Sequence, residues 1–163
     1  MNICTKTGDT GQTSLLKGIR VDKDDPRVEA NGELDELNAI IGIVKSLMKD
    51  DYLHLSFLST IQKGVMGIMS YVASPVDTRQ LDERLITLTD DMEHEISILT
   101  NGKKFDFILP GASQLESVLH LARAKTRTAE RRLWTVNRSY AIAPEIMCFM
   151  NRLSDYFFAL VID

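Results

Sequence analysis

The segment of residues 5–14, TKTGDTGQTS, is rich in residue types that bind phosphate. It contains two glycines, four threonines, one serine and a single lysine, Lys6. Glycines let the backbone approach an anion closely, hydroxyl and amide groups donate hydrogen bonds, and the lysine adds positive charge. No G-K-[ST] sequence closes the segment, so it is not a Walker A motif. Composition alone therefore leaves two interpretations open: an ordinary surface loop, or a polyphosphate-binding loop of another kind.

A row of arginines forms the second chemical feature. Arg123, Arg127 and Arg131 follow one another at four-residue spacing, and Glu130 lies within reach of Arg127. On a helix this spacing places the arginines along one flank, beside the apolar stripe. Guanidinium groups bind phosphate through two hydrogen bonds each. A solvated face with intrahelical ion pairs is the alternative.

The third feature is the polar sequence NRLSD, residues 151–155, inside an otherwise apolar helical pattern. Asn151 both donates and accepts hydrogen bonds, which suits the edge of an adenine or a ribose. Capping or polar bonding between helices is an equal alternative.

Other catalytic patterns are absent from the sequence. The three histidines, His54, His94 and His120, supply no Glu-x-x-His element of a di-iron bundle. No G-x-S-x-G nucleophile motif is present. Cys4 and Cys148 match no metal-binding spacing and are expected to be free thiols in a reducing cytosol.

Five amphipathic segments must position these side chains. Asp25 precedes Pro26 as a cap for the first helix, and Ser113 begins the fourth with an S-x-x-E capping box. Apolar residues at alternating steps of three and four mark the stripes Leu34–Met48, Leu58–Val72, Leu81–Leu99, Leu115–Val136 and Ile146–Leu160. Residues 105–109 have the alternation of a strand or an extended linker. We predict an all-α, up-and-down bundle of about five helices, one domain over residues 1–163, with residues 1–24 as an ordered loop segment.

Composition limits the class of protein. A net charge of -4 and a pI near 5.4 argue against a general nucleic-acid binder. No apolar run approaches the roughly 20 residues that cross a bilayer, and the amino terminus lacks the pattern of a signal peptide. We expect a cytoplasmic protein.

The order of these motifs along the chain resembles one family. TKTGDTGQTSL, DDPRVEANGELDELNAIIG, FILPGAS, HLARAKTRTAERR and NRLSDYFF resemble the ATP:cob(I)alamin adenosyltransferases of the propanediol-utilisation type. The resemblance implies transfer of the 5′-deoxyadenosyl group of ATP to reduced cobalamin, with Mg²⁺, in a homotrimer whose active sites lie between subunits. It also implies a reductase that supplies Co(I) and an adenosylcobalamin-dependent enzyme that uses the product.

The resemblance also implies roles for particular residues. The nucleotide phosphates would be held by Thr5, Lys6, Thr7, Gly8, Thr13, Ser14 and Lys23. Arg127, Glu130 and Arg131 would contact phosphate and ribose, and Asn151 would complete the nucleotide pocket. Asp35 would pair across the interface with Arg123 on the cobalamin side, and Phe107 would help to displace the lower ligand of cobalt.

Two positions depart from the family pattern. Thr128 stands where a second arginine is usual, and Ala112 replaces a glycine. Neither Lys125 nor Arg132 is assigned from sequence as a replacement for the lost charge. Two alternatives therefore remain open: a non-catalytic ATP- or corrinoid-binding relative, and a helical assembly protein whose polar rows only join subunits.

Overall fold

The computed structural model describes residues 6–48, 52–104, 106 and 108–163. Its helices are α1 (Pro26–Leu47), α2 (Tyr52–Ala73), α3 (Arg84–Thr100), α4 (Gln114–Asn137) and α5 (Pro144–Val161). Two short strands, β1 (Gln12–Ser14) and β2 (Arg20–Asp22), precede them, and 3-10 turns lie at Leu16–Gly18 and Val76–Thr78.

The helices enclose one apolar core, which confirms the predicted all-α bundle. Helix α4 packs between α1 and α5, while α2 contacts α1 and α3 contacts α5. The predicted stripes of α1 and α2 are buried throughout, and α5 adds Phe149, Tyr156 and Phe157 as the bulkiest core side chains. Leu81 and Leu115 are the exceptions: Leu81 precedes α3, Leu115 lies in the first turn of α4, and both are half-buried.

Side chains cap the helices that carry the polar motifs. The Asp25 carboxylate accepts a 2.9 Å hydrogen bond from the Arg27 backbone N–H at the start of α1. Ser113 Oγ accepts a 3.0 Å bond from the Glu116 N–H, which confirms one half of the predicted capping box. In the other half, Glu116 reaches further back and accepts from the N–H groups of Gly111 and Ala112.

The amino-terminal segment is more regular than a loop. Strands β1 and β2 pair antiparallel, with Gln12 opposite Asp22 and Ser14 opposite Arg20. Gly11 precedes β1 at φ +84°, a conformation that glycine adopts without strain. The chain forms a β-hairpin here, and neither strand packs extensively against a helix.

The segment before α4 has no regular structure at its described positions, 106 and 108–112. Phe107, like Thr5, lies outside the described residues. Within the described part of the chain, no helix is long and apolar enough to span a membrane.

Candidate functional site

Arg20 holds the amino-terminal hairpin together. Its Nη1 donates to Ser14 Oγ at 3.1 Å, and its Nη2 donates to the carbonyl oxygen of Thr7 at 3.1 Å. One guanidinium group therefore fixes both the strand β1 and the preceding glycine–threonine turn. Sequence reasoning missed this residue, because only the strand register brings Arg20 opposite Ser14.

Lys23 lies over the same turn. A Cβ atom added to Gly8 would lie 3.4 Å from Lys23 Nζ, so the missing side chain of Gly8 leaves room for the ammonium group. The Lys23 backbone N–H also donates to the Gly11 carbonyl oxygen at 2.9 Å. Lys6 and Lys23 form no ion pair within the described residues, which leaves both charges available to an anion. Thr7 and Ser14 are exposed at this surface, and Thr13 is half-buried.

The orientation of α4 is set by ion pairs with α1. Lys125 pairs with Glu33 and Glu36, and Arg132 lies 3.1 Å from Glu29. These contacts place the Lys125 flank of α4 against α1. Both cations are paired with α1 carboxylates, so neither substitutes for the arginine that Thr128 replaces.

The arginine row lies on the other flank of α4, beside α5. Arg123, Arg127 and Glu130 are a half-turn of helix away from Lys125 and Arg132 around the axis. Arg127 is exposed and has no ion pair or hydrogen-bond partner in the described part of the chain. Arg123 is half-buried, and its Nε is buried without a hydrogen-bond partner. Arg131 donates to Thr128 Oγ1 at 2.9 Å, which ties this arginine to the substituted position.

Asn151 faces this row from α5. It lies seven residues after Pro144, where α5 begins, and Glu130 lies seven residues before Asn137, where α4 ends. Since a short turn joins the two antiparallel helices, both residues are about 10 Å from that turn and level with each other. Arg152, on the far flank of α5, bonds Glu93 of α3 at 2.6 Å and also donates to Asn151 Oδ1 at 2.7 Å. Helix positions thus put Asn151 of α5 at the level of Glu130 of α4, with Arg127 one turn further along the same flank.

Asp35 does not reach Arg123 of the same chain. On α1, Glu33 and Glu36 face α4. The Asn31 side chain donates to the Met69 carbonyl oxygen of α2, and the Asn38 carbonyl oxygen accepts from the Gln62 side chain of α2. Helical spacing leaves exposed Asp35 on the solvent side, away from α4. An Asp35–Arg123 pair within one chain is therefore excluded, and a pair between two chains stays a prediction.

The turn before α4 is ordered by Glu116. Its Oε2 accepts from the Gly111 N–H at 2.9 Å and the Ala112 N–H at 3.0 Å. The hydrogen bond from Gly111, with that from Ala112 and the nearby His120, lowers the pKa of Glu116 despite its desolvation. His120 Nε2 lies 2.9 Å from Glu116 Oε1, without the alignment of a hydrogen bond. Gly111 has φ +130° and Ala112 has no positive φ, so alanine fits without strain where the family pattern has glycine.

Comparison with known proteins covers nearly the whole chain. A family described as cobalamin adenosyltransferase matches residues 3–162. The corrinoid adenosyltransferase of Bacillus subtilis (strain 168) is 39% identical over 165 residues, covering 98% of this chain and 84% of the relative. The corrinoid adenosyltransferase PduO of Citrobacter freundii is 38% identical over 98% of this chain, which spans about half (49%) of that longer relative.

The solved structures that resemble this chain are also corrinoid adenosyltransferases. A variant PduO-type ATP:corrinoid adenosyltransferase from Lactobacillus reuteri, complexed with cobalamin and ATP, superposes with a TM-score of 0.90 at 37% identity. The match covers 98% of this chain and 91% of that one. A second variant from the same organism, complexed with ATP, has a TM-score of 0.88 at 38% identity, with the same coverage.

Proposed function

The chain belongs to the cobalamin adenosyltransferase family, and we propose that it transfers the 5′-deoxyadenosyl group of ATP to the cobalt of cob(I)alamin. The products are adenosylcobalamin and triphosphate. One observation carries this assignment: Lys23 on the hairpin and Arg127 on α4 are both cations without a carboxylate partner in the described part of the chain. Both belong to surfaces rich in hydrogen-bond donors, as a triphosphate requires.

The reaction explains why no activated serine or cysteine is needed. Cobalt in cob(I)alamin is a strong nucleophile and donates its electron pair to C5′ of ATP. A cobalt–carbon bond forms, the bond between C5′ and the triphosphate oxygen breaks, and triphosphate leaves with that electron pair, so Co(I) becomes Co(III). The protein has to align the two substrates and to stabilise the charge that develops on the leaving group.

Each cation has a role in that stabilisation. Thr5, Lys6, Thr7, Gly8, Thr13, Ser14 and Lys23 hold the phosphates in this proposal. Arg127 and Arg131 bind phosphate, Glu130 binds ribose, and Asn151 completes the nucleotide pocket. Phe107 acts on the cobalamin side, where it displaces the lower ligand of cobalt.

The active site in this proposal lies between subunits of a homotrimer. Two observations support it. The hairpin makes no extended contact with α4 of its own chain, and Asp35 points away from Arg123. A neighbouring chain supplies what each half lacks: its hairpin covers the arginine row of α4, and its Asp35 neutralises Arg123, whose Nε is buried without a partner.

Mg²⁺ fits as a companion of ATP rather than as a resident metal. Among the described residues, no group of three or more His, Cys, Asp or Glu side chains could hold a metal ion. The hairpin offers hydroxyl oxygens at Thr13 and Ser14, and Mg²⁺ commonly binds substrate phosphates while keeping several waters. When bound, Mg²⁺ would neutralise charge on the triphosphate.

The proposed reaction also defines the partners. Co(I) has to be generated by a reductase, and the product serves an adenosylcobalamin-dependent enzyme. We propose that the protein works in the cytoplasm, where ATP is available.

A non-catalytic ATP- or corrinoid-binding relative is the second candidate, because Thr128 removes a positive charge beside the nucleotide. In this candidate, Arg131 is bound to Thr128 Oγ1 and is not free to follow the leaving phosphate.

An anaerobic spectral assay separates the two candidates. Purified protein is mixed with ATP, Mg²⁺ and chemically reduced cobalamin, and the conversion of the Co(I) spectrum to that of adenosylcobalamin is followed. Conversion with release of triphosphate supports the transferase. ATP binding by calorimetry with no conversion would instead establish the non-catalytic relative.

A further inference from the structure

Trp134 is the only tryptophan of the chain and lies on the arginine flank of α4. It follows Arg127 by seven residues, Glu130 by four and Arg131 by three, so its side chain continues the same face one turn further on. The residue is 50% exposed. It lies toward the turn between α4 and α5, beyond the level of Asn151.

The indole has no partner of its own within the described residues. Arg27 and Arg79 stack on Tyr140 and Tyr71, but no cation or ring stacks on Trp134. A half-exposed indole presents a flat apolar ring face, with an N–H donor at its edge, to a ligand or to another chain.

Its position differs from that of the other exposed apolar residue on the same helix. Leu121 is 51% exposed, but helical spacing places it on the flank of Lys125 and Arg132, which faces α1. Trp134 alone combines an exposed apolar surface with the arginine flank.

We propose that the indole of Trp134 stacks against the adenine base of ATP and thereby determines the preference for a purine nucleotide. This inference rests on the proposed function, because it assumes that the triphosphate binds at the arginines. Trp134 lies about 10 Å along the helix axis from Arg127, which matches the length of an ATP molecule lying along this flank of α4. Asn151, one turn back on α5, offers a donor and an acceptor to the edge of the base that the indole covers.

Stacking is the interaction that this residue type provides. Aromatic side chains stack on any nucleobase, and the larger purine ring gains more contact than a pyrimidine. The indole therefore adds affinity for ATP and selectivity over CTP, whereas the arginines bind the triphosphate of both nucleotides alike.

The single tryptophan makes the inference directly measurable. ATP, without cobalamin, is titrated into the wild-type protein while the emission of Trp134 is followed, and tripolyphosphate serves as the probe that lacks a base. We expect ATP to quench or shift the emission and tripolyphosphate to leave it unchanged. An equal response to both probes, or no response to ATP at binding concentrations, would overturn the proposal.

Kinetics give the second readout. Trp134→Ala is expected to raise KM for ATP about tenfold, to leave kcat within about twofold, and to reduce the selectivity for ATP over CTP. Trp134→Phe should restore most of the affinity, and the matched control Leu121→Ala should change neither constant. An unchanged KM and selectivity in Trp134→Ala would contradict the proposal.

Packing of the indole on a second copy of the chain is the competing occupant. It would show as a Trp134→Ala protein that dissociates in size-exclusion chromatography yet keeps wild-type KM at high subunit concentration, a result that rejects stacking. The stacking proposal and the proposed function can fail separately. A wild-type protein that binds ATP but has no turnover would still show the ATP-dependent change in Trp134 emission.

Discussion

Lys125 Nζ lies 2.5 Å from Glu36 Oε2 and also pairs with Glu33, which joins α4 to α1. Burial alone would lower the pKa of Lys125, but hydrogen bonds to the two carboxylates outweigh it and raise the pKa. This cluster holds the Lys125 flank of α4 against α1. Arg127 therefore lies on the opposite, exposed flank of the helix.

Removing this cation is expected to destabilise the fold. Lys125→Met leaves Glu33, which is 17% exposed, without its partner and should lower the free energy of unfolding by about 1–3 kcal/mol. Urea denaturation measures the change. The control is Arg132→Met, whose partner Glu29 is 46% exposed, and its cost should stay within about 1 kcal/mol. Equal losses in both variants would contradict the assigned role of Lys125.

The sign of the pH dependence follows from the raised pKa of Lys125. A lysine stabilised in its charged form contributes fully below its ordinary pKa of 10.5, and the contribution is lost as the pH rises through the folded-state value. The wild-type protein should lose more stability than Lys125→Met between neutral and strongly alkaline pH. An equal loss of stability in the two proteins as the pH rises would show that Lys125 does not cause this pH dependence.

Arg127→Ala tests the arginine flank. If this unpaired guanidinium stabilises the leaving triphosphate as proposed, its loss should reduce kcat about 10²–10³-fold and leave subunit association unchanged. Steady-state adenosylation and size-exclusion chromatography measure the two properties. Arg132→Ala, on the same helix but facing α1, should keep near wild-type turnover; normal activity in Arg127→Ala would show that the phosphate binds elsewhere.

Asp35→Asn tests the predicted pair between subunits. The variant is expected to raise KM for cobalamin severalfold, because Arg123 of the neighbour loses its carboxylate, and to weaken subunit association. The matched control is Asp90→Asn, which changes an aspartate that is also exposed but lies on α3. It should change neither KM for cobalamin nor subunit association. If Asp35→Asn behaves like that control, the interface pair is absent.

The cap of α1 gives a prediction at acid pH. The side-chain hydrogen bond from Arg27, which outweighs desolvation, lowers the pKa of Asp25 from 3.8. The stabilisation is therefore present above pH 3.8 and is lost as the pH falls through the lower folded-state value. Asp25→Ala should cost about 1 kcal/mol at neutral pH, and the difference from wild type should shrink in strong acid. Thermal unfolding across this range measures it, and a difference independent of pH would refute the assigned cause.

Local patterns were enough to predict the helices. The start at Pro26 and the Ser113 cap agree with the structure, because proline, aspartate and serine act within one turn of the chain. The hairpin was not predicted, since its strands have only three residues each and depend on Arg20 contacting Ser14 and Thr7.

The site required three-dimensional information that spacing does not contain. Spacing placed Arg127 on a flank, but only the contacts of Lys125 and Arg132 with α1 show which neighbour that flank faces. The same contacts show that neither cation replaces the charge lost at Thr128. The roles given to Thr5 and Phe107 stay predictions, since both lie outside the described residues.

Subunit mixing tests most directly whether an active site combines the hairpin of one chain with the arginine row on α4 of another. Lys23→Ala impairs the hairpin half and Arg127→Ala the α4 half, and each variant alone should have little adenosyltransferase activity. In trimers assembled from equal amounts of both, about a quarter of the interfaces join two intact halves, so about a quarter of wild-type activity should return. Activity no greater than that of the separate variants would contradict a shared site.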